Sequence, residues 1–263
     1  MQYNDTEIAS KQKLEVEFWR DSRHESPEAD SVLNLLKKSR EALVFLEGLK
    51  RHKEIIPKTG KVLELGAGQG WGACVYKKLF PRAHVTATDI SEYAVMSLPK
   101  WERVFQVSLD NAYACKSYEI KEADASLDLV FCFASAHHFL AHKRTLEELF
   151  RVLKPGGKGI YFYEPAAPKL FYRLVRRRMN RKRGNVPEDV LIVSEVARLS
   201  RQAGLDLHVD YHPSLQNRDP LATVYFYFLG LIPFLQTFLP CSVNLIFTKP
   251  GSVKRKKASS GNR

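Results

Sequence analysis

The residues of this chain best suited to chemistry fall in three places. The first is Glu64 with Gly66-Ala67-Gly68-Gln69-Gly70, an acid in an apolar run followed by glycines at alternating positions. Glycines so spaced let backbone approach a ligand closely and adopt conformations that a side chain forbids. A dinucleotide fingerprint needs its third glycine at the sixth position, and the sixth residue here is Trp71. A pyrophosphate-cradling, hydride-transferring site is thereby excluded, and a nucleoside-binding turn remains. The second place is Asp89-Ile90, 23 residues after Gly66. A carboxylate there could accept both hydroxyls of a ribose; the competing reading is a cap for the next helix. The third is Ala134-Ser135-Ala136-His137-His138-Phe139, two adjacent imidazoles whose ordinary pKa suits a general base near neutrality. Against that stands a packing role, with a ring hydrogen-bonded to a backbone carbonyl. Glu164, Tyr163 and His212 are weaker candidates at the same edge.

Such residues act only if the chain brings them to one edge. From Lys61 onward strand-like and helix-like stretches alternate, which predicts an α/β domain around a parallel sheet with right-handed crossovers. Strands are expected at 61–66, 84–89, 111–116, 127–133, 158–164 and 205–211, with a last one at Cys241–Thr248. Helices are expected at about 70–80, 92–107, 143–153 and 187–203, the third closed by Pro155-Gly156-Gly157. In open sheets of this kind ligands lie at the carboxyl ends of the strands. The glycine turn, Asp89, the segment after Phe133 and Glu164 then share one edge. Residues 1–56 read as a helical extension beside the cleft. In it Ser26-Pro27-Glu28 resembles a helix start, and Ala42, Phe45, Leu46 and Leu49 form one apolar stripe.

Four stretches together resemble the class I S-adenosylmethionine-dependent methyltransferases over roughly residues 61–211. They are Leu63-Glu-Leu-Gly-Ala-Gly-Gln-Gly70, Ala87-Thr-Asp-Ile-Ser91, Asp124-Ala-Ser-Leu-Asp-Leu-Val130 and Arg151-Val-Leu-Lys-Pro-Gly-Gly157. The resemblance implies a Rossmann-like fold, a seven-stranded and mostly parallel sheet with a reversed last strand and helices on both faces. It implies S-adenosyl-L-methionine as cofactor, the methionine part held by the turn Gly66–Gly70 and the ribose by Asp89, with Ile90 beside it. Glu64 would orient the turn or reach the methionine amino group indirectly. Many members carry an Asp for the adenine amino group about a dozen residues before the acid at Asp128. Here that region reads Ala114-Cys115-Lys116-Ser117, so adenine is expected against backbone or apolar faces.

Composition narrows the rest. The chain has 263 residues and a net charge of +12, but residues 169–183 and 249–263 carry fourteen of its 41 basic residues and no acid. The remaining 27 basic residues face 29 acidic ones, so the body is near neutral and the positive charge is local. Cys74, Cys115, Cys132 and Cys241 are scattered without metal-ligand spacing and read as free thiols, and no metal is expected. No secretory pattern opens the sequence, so the expected location is the cytoplasm, with peripheral attachment at the inner face of a membrane as an extension of that reading.

Two segments bear on the acceptor. A basic helix at 166–184, with Leu170, Phe171, Leu174 and Val175 on one face, leaves the fifth strand. An insertion at 213–240 lies between the sixth and last strands, and Pro220–Thr248 holds no charged side chain. A membrane span over 221–239 would separate two strands that must pair, so the alternatives are an apolar lid buried on the body or a loop in the membrane interface. The expected activity is methyl transfer to a small-molecule or lipid-linked acceptor, at oxygen, with an anionic membrane surface contacted through 169–183 and 221–239. Nucleic acid is the weaker partner: an RNA methyltransferase would use Arg173–Arg183, but the Asn/Asp-Pro-Pro-aromatic motif is missing after the fourth strand. A catalytically silent scaffold is the third reading. The tail 251–263 is expected to be disordered.

Overall fold

The computed structural model describes residues 3–182, 189–216 and 218–251. The expected tail from residue 252 and the end of the basic helix after Lys182 lie outside them. Seven strands form one sheet: β1 Gly60–Leu65, β2 Ala83–Asp89, β3 Asn111–Ala114, β4 Leu127–Phe133, β5 Leu153–Ala166, β6 Asp206–Tyr211 and β7 Cys241–Thr248. Their order is β3-β2-β1-β4-β5-β7-β6. β1 to β5 pair in parallel, and β7 runs antiparallel to both β5 and β6. The order reverses between β1 and β4, which opens a crevice at their carboxyl ends, beyond Leu65 and Phe133.

The central strands are near-continuous apolar runs because both faces are covered. On one side α2 (Val32–Arg51), α3 (Trp71–Leu79) and α5 (Leu98–Phe105) close a core with Phe45, Trp71, Tyr76, Phe131 and Phe162. The Phe45 ring lies 5.4 Å from Phe131 and 5.6 Å from Phe162, so α2 belongs to the central core and is not an appendage. On the other side α6 (His142–Val152) and α8 (Val193–Gln202) cover Leu63, Val130, Tyr161 and Leu245. Two of the stretches that carry the resemblance serve as staples. Arg151 bonds Asp124 (2.7 Å) and Glu148 (2.8 Å), and Asp128 accepts from Lys154 Nζ (2.7 Å) and Lys61 N (2.8 Å).

Several local expectations change. α2 begins at Val32, capped by Ser31, whose hydroxyl accepts from Asn34 N (3.3 Å). Ser26-Pro27-Glu28 stays in a loop, because Gln69 Nε2 bonds Glu25 O (2.9 Å) and Lys100 Nζ bonds Ala29 O (2.7 Å). These tertiary bonds override a local helix start. The helix expected at 92–107 is two, α4 (Glu92–Met96) and α5, since Pro99 has no N–H to continue the ladder. The chain leaves α6 already at Leu153, and Pro155-Gly156-Gly157 runs inside β5, where Gly156 N bonds Lys249 O (2.8 Å).

The two additions also differ from expectation. In α7 (Tyr172–Lys182) it is Tyr172, Val175 and Met179 that pack inward, while Leu170 and Leu174 face outward. The insertion forms α9 (Pro220–Leu231) and a 3-10 turn at Pro233–Thr237. A buried lid is contradicted: Leu221, Phe228, Leu231, Phe234 and Phe238 are all exposed. Among the described residues no helix is long and apolar enough to cross a membrane.

Candidate active site

β1 runs straight into the glycine turn. Gly66, Gly68 and Gly70 have φ of +66°, +54° and +83°, the left-handed region in which a side chain is strained. This is why glycine recurs at alternate positions. Ala67 N bonds Thr88 O (2.8 Å), tying the turn to β2. The side chain of Gln69 is committed elsewhere: Oε1 accepts from Asn34 Nδ2 (2.9 Å) and Nε2 donates to Glu25 O, so only the backbone of Gln69 faces the turn.

Glu64 is buried under the turn, and its Oε2 accepts from Ala73 N (2.6 Å) in the first turn of α3. It therefore orients the turn through the helix N-terminus. Burial pushes its pKa up to about 8. A carboxyl raised in the folded state stabilises while protonated, and that stability is lost as pH rises through the folded value. Stability to urea is expected to fall by about 2 kcal/mol between pH 6.5 and 8.5 in the wild type. Glu64→Gln keeps an acceptor for Ala73 N and should show a flat profile over that window; identical slopes in both proteins would refute the assignment.

Asp89 ends β2. Its Oδ2 accepts from Gly68 N (2.8 Å) and its Oδ1 from Ser91 N (3.0 Å). The cap of α4 is Ser91, which accepts from Ala94 N, so Asp89 is not the helix cap. Burial, with the Glu15 carboxylate nearby, raises Asp89 to about 6. Beside it opens a cavity of about 480 Å³ lined by Ile90, Ala114, Cys115 and Glu119, and by Gln12 and Val16 of α1 (Asp5–Asp21). No acid stands at Ala114–Ser117, as the sequence indicated, but Glu119 reaches the cavity from further along.

α1 falls in the helical extension expected beside the cleft, but where it docks was not legible in the sequence. It lies over the glycine turn, and a Cβ on Gly68 would meet the Trp19 ring at 3.0 Å. Trp19 Nε1 donates to Glu15 Oε1 (3.3 Å), and Glu15 Oε2 lies 3.5 Å from His138 Nδ1. Burial raises the pKa of Glu15, but His138 outweighs this and the net direction is downward. The capping box of α1 (Asn4 with Glu7) was a readable signal for the helix; its docking site was not.

The two histidines part company. His138 pairs with α1. His137 is buried on the 3-10 turn Ala136–His138, with Nδ1 2.9 Å from Glu164 Oε2. Glu164 is fully buried and also accepts from the backbone N–H of Ser135 (2.9 Å), Ala136 (2.8 Å) and His137 (3.1 Å). Burial pushes its pKa up, yet the His137 ring and these N–H groups outweigh it and hold the carboxyl below its ordinary value. An ionised Glu164 accepts only, so the proton between the two groups sits on His137 Nδ1. Glu164 reaches this position through a bulge: pairing of β5 with β7 shifts between Tyr161 and Glu164, and Tyr163 has φ +56° with its N–H on Asn244 Oδ1 (3.0 Å). Ala134, at φ +46°, makes the matching turn out of β4. His212 is elsewhere, 3.1 Å from Glu47 of α2, and the Tyr163 hydroxyl donates to Gln216 O (3.4 Å).

With this geometry in view, the comparisons are informative. Residues 63–161 match the family model of a methyltransferase domain. A malonyl-[acyl-carrier protein] O-methyltransferase of Priestia megaterium is 29% identical over 100 residues, which is 38% of this chain and 35% of that protein. A sterol 24-C-methyltransferase of Gibberella zeae is 26% identical over 207 residues, 73% of this chain and 52% of that protein. The chain thus spans about a third to a half of the length of the curated relatives it matches. Among solved structures, geranyl diphosphate C-methyltransferase of Streptomyces coelicolor, in complex with S-adenosyl-L-homocysteine, superposes with a TM-score of 0.63 at 11% identity, covering 91% of this chain and 98% of that one.

Proposed function

We propose that this chain, which belongs to the class I S-adenosylmethionine-dependent methyltransferase family, transfers the methyl group to an oxygen of a small apolar or lipid-linked acceptor with His137 as general base. The observation that carries the base assignment is the buried Glu164–His137 pair at the carboxyl end of β4, across the crevice from the glycine turn. The residues fit the cofactor. Left-handed glycines keep side chains off the turn, Asp89 offers a carboxylate for two ribose hydroxyls, and Ile90, Ala114 and Cys115 offer apolar walls to adenine. When bound, the cofactor supplies a methyl group on a positively charged sulfur, open to in-line displacement by the acceptor oxygen, with the electron pair of the broken C–S bond kept by sulfur.

The work of this chain is alignment and proton removal. The turn and Asp89 fix the donor, while α1 covers it and excludes water. His137 Nε2 takes the hydroxyl proton of the acceptor, and the Glu164 carboxylate stabilises the imidazolium that forms. By their names two of the matched proteins act on acceptors with a hydrocarbon body, a sterol and a geranyl chain, which supports an apolar acceptor here. Labelled-methyl transfer into separated soluble, lipid and RNA extracts tests the reading. Label in the lipid or apolar small-molecule fraction is expected. Label confined to RNA overturns it, and absence of S-adenosylmethionine binding by calorimetry would return the scaffold reading.

A further inference from the structure

The uncharged stretch Pro220–Thr248 has two fates. β7 is buried in the sheet, whereas α9 and the 3-10 turn after it form a hairpin on the outside. Phe228 and Phe234 are 58% and 66% exposed, and Leu221, Leu231 and Phe238 are exposed with them. Most polar side chains of the hairpin are already used. The Asp219 carboxylate caps Ala222 N (2.8 Å), the Tyr225 hydroxyl donates to Pro240 O (2.7 Å), and Gln236 Nε2 donates to Leu229 O (3.0 Å). A helix facing water normally shows its polar side outward. This one satisfies most of its polar side chains internally and presents mainly apolar ones, the arrangement a membrane interface favours. Its twelve residues reach about 18 Å, well short of a bilayer core of about 30 Å, so it can lie in a membrane interface but not span one.

A second, independent feature sits at the same edge. The outward side of α7 and its approach carries Lys169, Leu170, Arg173, Leu174, Arg177 and Arg178, two leucines among four cations. Among the described residues none of these cations has an acid within 4 Å, though the charge of Lys169 reaches Glu195, whereas Arg176 turns inward to Asp189 and the Tyr3 hydroxyl. Topology joins the two features. Ala166 of β5 and Cys241 of β7 are register partners. α7 starts six residues after the first, and the hairpin ends four residues before the second, so both leave adjacent strands at one edge. Glu164 lies two residues before Ala166, so this is also the edge of the site.

We propose that this edge docks on an anionic lipid bilayer. The α9 hairpin lies at the boundary of headgroups and acyl chains, and the exposed cations of α7 rest on the anionic headgroups beside it. Charge complementarity selects this occupant: an apolar ridge with one acid, the capping Asp219, beside the four exposed cations of α7 and its approach fits a negatively charged, apolar surface. The inference stands apart from the choice of acceptor atom, and cofactor binding by each variant separates lost docking from lost fold.

Flotation with vesicles of phosphatidylcholine, alone or mixed equally with phosphatidylglycerol, tests it at physiological salt. The full chain is expected to float with the mixed vesicles only. Phe228→Glu with Phe234→Glu, both at exposed positions, should abolish flotation and leave S-adenosylmethionine affinity intact. Arg173→Glu with Arg177→Glu should weaken it about 25-fold or more, at about fivefold per cation. Failure of the wild type to float overturns the proposal, as does equal flotation of wild type and variants. If the phenylalanine variants instead turn an oligomer into a monomer in sedimentation while lipid binding persists, the ridge is a protein interface and the proposal falls.

Discussion

Asp89→Ala is expected to raise the dissociation constant for S-adenosylmethionine by about 10²- to 10⁴-fold, measured by calorimetry. Two charge-assisted hydrogen bonds to hydroxyls are lost, each worth about 1.5–3 kcal/mol, with tenfold for every 1.4 kcal/mol. The same carboxylate also holds Gly68 N and Ser91 N, so its removal loosens the turn that meets the methionine part. The raised pKa adds a second signature. A protonated Asp89 can accept fewer hydroxyl protons, and because burial lifts its pKa to about 6 the protonated form gains population below that value. Wild-type affinity should therefore decline as pH falls from 7 to 5, by about tenfold per unit once below the pKa. Asp89→Asn should bind weakly at every pH in that range. A loss under fivefold for the alanine variant, or a pH slope that survives in the asparagine variant, would dismiss the ribose assignment.

The second large effect falls on turnover. His137→Ala should lower single-turnover methyl transfer by about 10²- to 10⁴-fold, the usual worth of a general base, with cofactor affinity unchanged within about twofold. Glu164→Gln should lose nearly as much for a different reason. An amide has one accepting oxygen where the carboxylate has two, so its NH2 group turns a donor toward donors on one side, and it cannot stabilise an imidazolium as a carboxylate does. Glu164→Ala goes further and leaves three backbone N–H groups of residues 135–137 without their acceptor. That variant is expected to lose several kcal/mol of stability, about 1–3 kcal/mol for each buried donor left unsatisfied. His138→Ala provides the contrast: its ring meets Glu15 on α1, so cofactor affinity should change more than the rate of transfer. If His138→Ala cripples turnover and His137→Ala does not, the roles are exchanged.

The glycine turn and Asp89 were readable because they depend on a backbone conformation and a residue type at a fixed spacing, and both survive folding unchanged. The strand pattern was readable for the same local reason, and β7 arrived reversed as expected. Trp19 and Glu15 were not, since a helix pattern shows which face is apolar but not which surface it will meet more than forty residues later. Glu164 was visible only as an acid near the right edge. Its grip on His137 depends on the bulge at Tyr163, which the side chain of Asn244, eighty-one residues away in sequence, helps to define. The insertion was ambiguous for a related reason: composition distinguishes apolar from polar, and only the packed body decides whether an apolar helix is covered.

The place of β7 has a consequence for how the molecule comes into being. β5 is edged by β7, which follows it in the chain after β6, and β7 is the middle member of β5-β7-β6. Until residues 241–248 leave the ribosome, the carbonyls of β5 lack their second neighbour, and Tyr163 N lacks the Asn244 acceptor that sets the bend. The donor pocket, made by β1 and β2 with the helices around them, can assemble well before that. A nascent chain can thus form its glycine turn and the Asp89 edge while the Glu164–His137 pair is still unset, and the bend that holds that pair waits for β7.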